Sequence, residues 1–359
     1  MTFYAKDPKP RSLASRIVGW IVFVAITGAG LFLAIAPTPY LVEQAGPVYN
    51  VLSTIAGKPM ITVTGKTTYP TTGDLDMLTV TLKGDSTRGA SWFDVGLAKF
   101  DSSVAIINKD DIYPPGWDDA KLNEEADMMM LDSQSNAKAA ALNLLDIPFT
   151  SSVKVTSVTK SGPAGNVLKA GDTLLKVQGE VATGIDQVRA FVRATEGKSP
   201  VNLEIDRKGK TSTVSVSPKF IDKQWRMGIY VQSVPEFPFK IDLEVGNVGG
   251  PSGGQILTLA IYDKLTPGSL TGGQKIAGTG TITPEGAIGP IGGIRQKLYG
   301  AIRAGAKWFL APSENCDEVI KHVPDGLRVI KVSTIQDSLK AVKAIASSTG
   351  TASLPICTK

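Results

Sequence analysis

Ile17 to Ala36, IVGWIVFVAITGAGLFLAIA, is a run of twenty residues without a charge. At about 1.5 Å of rise per residue, such a run makes a helix that spans a hydrocarbon core of about 30 Å. The expectation is one transmembrane helix over 17–36, with the lipid bilayer as its partner. The competing reading is a cleaved signal peptide, since Ala34-Ile35-Ala36 has the small-residue cleavage pattern. Against it, the run exceeds the usual apolar core of a signal peptide and Pro37 would come directly after the cut. Both readings export the remainder of the chain. Before the run, Lys6, Lys9, Arg11 and Arg16 stand against Asp7, and by the positive-inside rule this flank stays in the cytoplasm. The expected location is therefore the plasma membrane, single-pass, with everything after Pro37 on the outer face.

The whole chain of 359 residues is 42% apolar and 20% charged, a globular composition with room for two or three domains. Its net charge of +5 falls to +2 once residues 1–16 are set aside. No Lys/Arg cluster stands out on the remainder, which argues against a nucleic-acid partner. The two cysteines, Cys316 and Cys357, form no Cys-x-x-Cys, and the chain has a single histidine, His322. Neither a zinc site nor thiol catalysis fits, so no metal and no cofactor is expected. In an oxidising exterior, a Cys316–Cys357 disulfide would tie the C-terminal tail back onto the chain, two free thiols being the other possibility.

The residues able to do chemistry concentrate between Gly246 and Lys297. Ser252 is held between Gly249-Gly250-Pro251 and Gly253-Gly254, and the apolar run Ile256 to Ile261 behind it reads as a buried helix. The serine then sits at a helix N-terminus. There unpaired N–H groups and the positive end of the macrodipole stabilise an oxyanion, and glycines let a substrate carbonyl come close. The backbone around Gly250, Pro251 and Gly253 is the candidate oxyanion site. Such a serine needs a base. His322 lies in the charged segment ENCDEVIKHVPDG, so a Ser-His-Asp triad would hang on one surface-like residue. A lysine is the better candidate. Between Gly293 and Gly305, Ile294, Leu298, Ala301 and Ile302 recur at helical spacing, and Lys297 falls at the border of that face. Burial there would disfavour the ammonium and leave a neutral amine able to take the serine proton. The competing reading is that Lys297 lays its stem on the core and keeps its head in water.

Four blocks come in succession here: Gly250-Pro251-Ser252-Gly253-Gly254; Gly278-Thr279-Gly280-Thr281-Ile282-Thr283; Gly289-Pro290-Ile291-Gly292-Gly293-Ile294-Arg295-Gln296-Lys297; and Ala304-Gly305-Ala306-Lys307. In order, spacing and the Pro-Ile-Gly-Gly turn, the stretch resembles the proteolytic domain of Lon-type serine proteases. The resemblance implies an α/β domain in which Ser252 is the nucleophile, Lys297 the general base and Thr279 the hydroxyl that accompanies the lysine. It also admits a homo-oligomer. Two positions depart from the family pattern, which usually has an acidic residue two before the proline and alanine after the serine. Gly249 and Gly253 stand there instead. An acid-assisted step loses its side chain, whereas the dyad is untouched.

Pro39 to Asn50 reads as a membrane-proximal connector. Met60 to Gly84 alternates as strands do, ITVTG and then LDMLTVTL, and is expected to form two paired strands. A Lon-type domain is larger than the stretch after Phe220, so these strands are expected to be its first part, with another domain inserted behind them. Asn123 to Leu145 has helical spacing, and Met128, Met129 and Met130 are expected as core filler. Ile147 to Pro218 then runs through VKVTSV, the turn Ser161-Gly162-Pro163-Ala164, Gly171-Asp172, a helix from Ile185 to Ala194 and a hairpin around Lys208-Gly209. This resembles a PDZ domain of the bacterial protease type. The resemblance implies an extended peptide added as a strand, with backbone N–H groups holding its terminal carboxylate. The groove is expected between Val153–Val158 and the helix Ile185–Ala194, with Asp146 to Thr150 as the carboxylate loop. The candidate contacts are Ile147, Pro148, Phe149, Thr150, Val153, Val155 and Val188. Alternatively the module only braces its neighbour and takes no peptide.

The expected fold class is α+β: a cytoplasmic tail (1–16), the transmembrane helix (17–36), a membrane-proximal segment with the first part of the protease domain (37–135), an inserted PDZ-like β-rich domain (136–220) and the main proteolytic part with its tail (221–359). Gly-Lys-Ser/Thr triplets begin at Gly65, Gly197 and Gly209, but Met60, Val192 and Glu204 occupy the leading-glycine position of a phosphate loop. The expected activity is therefore ATP-independent hydrolysis of unfolded or flexible extracytoplasmic polypeptides by a serine endopeptidase. A reading from another class is a membrane-tethered peptide-binding scaffold or chaperone with a vestigial serine site. Only the retention of both Ser252 and Lys297 speaks against it.

Overall fold

The computed structural model describes residues 13–55, 57–221 and 223–358. Leu13–Ile35 is one helix, and its stretch Arg16–Ile35 is long and apolar enough to cross a membrane and is exposed along its length. The chain divides into two units, the first of which includes this helix. One comprises the described residues of 1–61, 69–137 and 243–359; the other comprises those of 62–68 and 138–242. The second unit thus reaches Asp242 rather than ending near 220, because the strand Ile229–Glu236 is part of its sheet.

In the first unit, the described residues form a six-stranded sheet in the order Arg328–Val332, Trp308–Pro312, Lys275–Gly278, Asp74–Lys83, Tyr40–Asn50, Ala105–Asn108. The first four run parallel and the last three antiparallel. Phe309, Leu310, Ala311, Ile276 and Ala277 are fully buried, as parallel strands covered on both faces require. Neighbouring residues on a strand point to opposite faces, and Met77 and Leu78 show what covers each one. A Cβ on Gly253, at the start of the helix Gly254–Leu265, would lie 2.5 Å from Met77 Sδ, and one on Gly300, in the helix Ile294–Arg303, 3.3 Å from Leu78 Cδ2. The helix behind Ser252 and the helix carrying Lys297 therefore flank the sheet from opposite sides.

Three expectations need correction here. Tyr40–Asn50 is a strand beside Asp74–Lys83, not a connector; Gly46-Pro47 marks a bulge where the register shifts between Ala45 and Val48. Ile61–Thr64 does not pair with Asp74–Lys83. It pairs with Lys240–Leu243, whereas Asp74–Lys83 lies between Tyr40–Asn50 and Lys275–Gly278. Of the three methionines on the helix Asp119–Leu144, only Met130 is buried, and Met128 and Met129 face solvent. Three consecutive residues cannot all share one helical face.

In the second unit the sheet runs Lys210–Val216, Val201–Arg207, Thr173–Val177, Thr150–Val158, Ile229–Glu236, with Glu180–Val181 on Thr173–Val177. Val188 and Val192 of the helix Ile185–Ala194 join Val153, Val155, Leu174, Leu203 and Ile205 in its core. The Gly171-Asp172 turn is fixed by charge as well as shape. Asp172, fully buried, takes two hydrogen bonds from the Arg207 guanidinium, at 2.7 Å and 2.6 Å.

Cys316 and Cys357 are joined in a disulfide, 41 residues apart, and Cys357 packs against the cluster around Phe309. Closing a loop of that length restricts the unfolded chain by about 4 kcal/mol in the chain-entropy account. Cys316→Ser should therefore lower the melting midpoint, and reductant should move the parent protein to the same midpoint while leaving the variant unchanged.

Candidate active site

Ser252 is set by the backbone on both sides. Lys240–Leu243 leads into a loop that ends at Gly250, whose φ of 84° is in the left-handed region that favours glycine. The Gly250 N–H donates to Ala126 O at 2.7 Å, and the Ser133 hydroxyl donates to Pro251 O at 2.9 Å, tying the loop to the helix Asp119–Leu144. Pro251–Gly253 is one tight helical turn with proline at its start, and Gly254–Leu265 continues from it, buried at all but two of its positions. The helix expected behind the serine is present, and Ser252 stands in the turn that enters it, half-buried. No side chain fits at the two departures from the family pattern without displacing a neighbour. A Cβ at Gly249 would sit 2.8 Å from Ala126 Cβ, as one at Gly253 would crowd Met77.

Lys297 arrives from the other face. Its helix starts at Gly293, with φ of 67°, where a side chain would meet Val80 and the Glu43 carboxylate. Lys297 is 3% exposed and donates from Nζ to Thr279 Oγ1 at 3.2 Å. It does not snorkel. Thr279, fully buried, directly follows the strand Lys275–Gly278, so it leaves the sheet where side chains from either face can reach it. Its hydroxyl donates in turn to Ser252 O at 3.1 Å, and the Gly280 N–H donates to the same oxygen at 2.9 Å. Thr279 thus straps the serine's own carbonyl to the lysine's amine.

Burial pushes the Lys297 pKa down to about 8, the nearby Glu43 carboxylate opposing part of that fall. Burial likewise raises Glu43, with Lys297 pulling it back. Ser252 and Lys297 line one cavity of about 290 Å³, together with Gly253, Asn247, Met77 and Tyr49. His322 does not line it. The arrangement offers a hydroxyl and an amine that is partly neutral near neutral pH, in a small, partly dry site, which is what proton transfer from a nucleophile needs. Of the three backbone positions expected to hold an oxyanion, Gly250 already gives its N–H to Ala126 and Pro251 has none to give. Gly253 keeps the expected place beside Ser252.

Sequence reasoning missed Met77, Tyr49 and Glu43. The β-branched and aromatic residues Tyr40, Val42, Val48 and Tyr49 could have marked the strand that carries Glu43 and Tyr49, but nothing local points its residues at a serine two hundred positions away.

The residues expected to form the peptide groove lie elsewhere. Thr150–Val158 pairs with Ile229–Glu236 along its whole length and with Thr173–Val177 on its other side, so it has no open edge for an added strand. Val153 and Val155 are core residues, Ile147 to Phe149 precede the strand, Thr150 opens it opposite Glu236, and Phe149 packs on Phe237. The sheet's edges are Ile229–Glu236 and Lys210–Val216, and the first of these faces the helix Ile185–Ala194. Between Ile229–Glu236 and that helix runs a groove of about 1170 Å³, lined by Ile185, Val188, Val192, Met227, Ile229 and Val231. Only Val188 of the expected set is there. The turn entering this strand is held by Gly228, with φ of 77°, against Gly162-Pro163.

Residues 237–344 match the family model of the Lon protease (S16) C-terminal proteolytic domain, and residues 126–217 that of the PDZ domain. Lon protease of Azospirillum brasilense is 39% identical over 95 residues, which cover 25% of this chain and 11% of that protein. Lon protease of Rickettsia prowazekii is 29% identical over 171 residues, 46% of this chain and 21% of that protein. The chain therefore spans only about a tenth to a fifth of the length of these relatives. Among solved structures, the PDZ domain of an SdrC-like protein from Listeria monocytogenes aligns at 23% identity with a TM-score of 0.21, over 22% of this chain and 85% of that one.

Replacing Thr279 by valine removes the acceptor for the buried amine. Thr279→Val should cost about 1–3 kcal/mol of stability, and it should lower the Lys297 pKa further from about 8, because the lost hydrogen bond favours the ammonium. Thermal melts and NMR titration of the lysine Nζ would measure both, and Thr279→Ser should restore them.

Proposed function

We propose that this chain, which carries a Lon-type proteolytic domain together with a PDZ domain, is a membrane-anchored serine endopeptidase with Ser252 as nucleophile and Lys297 as general base. The observation that carries the reading is the buried Lys297 amine on the Thr279 hydroxyl, in the same cavity as Ser252. In the reaction, neutral Lys297 takes the Ser252 Oγ proton as Oγ bonds to the scissile carbonyl carbon. The resulting oxyanion is held by the N–H groups of Ser252 and Gly253, since Gly250 and Pro251 are committed or lack the donor. The lysine ammonium then returns its proton to the leaving amine. Water hydrolyses the acyl-enzyme by the same route in reverse. Thr279 keeps the amine in place throughout.

No step in this scheme calls for nucleotide, metal or another cofactor. The substrates are polypeptides, unfolded or flexible enough to enter a cavity of about 290 Å³ in extended form. The helix Leu13–Ile35 anchors the chain, with residues after Pro37 on the extracytoplasmic side, as the basic flank before it favours. The second unit presents substrate along Ile229–Glu236, with the C-terminal carboxylate near the Met227-Gly228 turn. Arg189, Arg193 and Lys223 on the groove's rim, against Asp186 and Glu196, favour an acidic end.

Incubated with casein, the parent protein should generate fragments and Ser252→Ala none, while both melt alike. Equal inactivity would favour a tethered scaffold. Because the base is the deprotonated amine, kcat/KM should rise with pH through about 8 and level above it; a profile that is flat or falls across that range would exclude a lysine base. In the groove, a peptide with a free carboxylate should bind more tightly than its amide, and Ile185→Asp should abolish the difference without altering hydrolysis of a short ester substrate.

A further inference from the structure

The helix Trp92–Ala98 has two apolar faces where a surface helix normally has one. Val95 and Ala98 pack inward with Val42 and Ala90. Outward stand Trp92 at 48% exposure, Phe93 and Leu97 at 55% each, and Phe100, just past the helix, at 92%. Four large apolar side chains within nine residues of surface form a patch that the protein's own interior leaves uncovered.

Its position says what covers it. The chain leaving the apolar helix Leu13–Ile35 is stitched at once to the segment that starts Trp92–Ala98. The Trp92 N–H donates to Ala36 O at 3.3 Å, Pro37 bridges Ser91, and the Thr38 N–H donates to Ala90 O at 2.9 Å. The Arg88 guanidinium also holds Ile35 O. The patch is therefore fixed beside the point where the apolar helix emerges. Tryptophan is a residue of the interfacial belt, and a helix that turns Trp, Phe and Leu outward lies in the headgroup plane rather than through it.

From this we infer that Trp92, Phe93, Leu97 and Phe100 insert into the outer headgroup region of the same bilayer that Leu13–Ile35 crosses, as a second attachment that pins the first unit to the membrane surface. The inference rests on the anchoring reading given above, and on lipid rather than protein as the occupant. Lys99, exposed on the same segment, is placed to meet anionic headgroups. Lys83, paired with Asp94 at 3.1 Å, keeps the helix's one acidic side chain neutralised near such a surface.

The test uses the full chain in vesicles of phosphatidylcholine and phosphatidylglycerol. Its two cysteines are bonded to each other, so Phe93→Cys, Leu97→Cys, Phe100→Cys and Phe23→Cys each accept one environment-sensitive fluorophore. Quenching by nitroxide lipids, labelled near the headgroup for 93, 97 and 100 and deep in the acyl chain for 23, is compared with quenching by aqueous iodide, on variants that melt like the parent. The expected result is loss of emission to the shallow nitroxide and shielding from iodide at 93, 97 and 100, together with lipid quenching at 23. Lipid quenching at 23 but iodide access at 93, 97 and 100 overturns the second attachment and leaves the anchor standing. Shielding at those three positions without lipid quenching assigns the patch to another protein copy and also overturns it. An unquenched label at 23 overturns the anchor, and the inference with it.

Discussion

One buried amine sets the terms for the rest of this molecule. A lysine in water is protonated and useless as a base, and a lysine in a dry interior without a partner is costly. Lys297 lies between these limits, 3% exposed, one hydrogen bond from Thr279 and within the field of Glu43. Desolvation brings its pKa to about 8 and the carboxylate keeps it from falling further. The two influences come from different elements, so the balance exists only when the sheet is assembled. Glu43 sits on a strand far from the serine motif in sequence, yet it belongs to the electrostatics of the site.

The sheet is built to deliver two side chains from opposite faces to the end of one central strand, Lys275–Gly278. Gly254–Leu265 covers one side of Asp74–Lys83 and Ile294–Arg303 covers the other. Met77 and Leu78, adjacent in sequence, report the two environments. The short strand Lys275–Gly278 stops before its neighbour does, and Thr279 turns out of the sheet there, reachable by Lys297 and by the carbonyl of Ser252. Glycine at 249 and 253 belongs to the same construction, because Ala126 and Met77 fill the space that side chains would need. In the second unit a comparable economy holds. Its Gly171-Asp172 turn is locked by Arg207, and its edge strand arrives from residues beyond the hairpin, which leaves a groove open against Ile185–Ala194.

What the sequence determined by itself was local chemistry and its order. Twenty uncharged residues dictate a helix with no soluble face, the glycines around Ser252 dictate a turn that only small residues permit, and the spacing of Ile294, Leu298 and Ala301 puts Lys297 at the margin of a buried face. These features come from residue type and period, which act over a few turns of chain. Which strands pair, and which edge stays open, could not be read the same way. Ile61–Thr64 and Asp74–Lys83 look like partners and are not, Tyr40–Asn50 looks like a tether and is a sheet strand, and Val153 and Val155 alternate like a groove wall yet lie in the core. Strand pairing is settled by long-range competition for hydrogen bonds and apolar cover, and alternation gives only the faces, never the neighbour. The tertiary structure alone decided that an amine and a hydroxyl on separate elements line one cavity, because the burial that lowers the Lys297 pKa comes from all the elements packed around it.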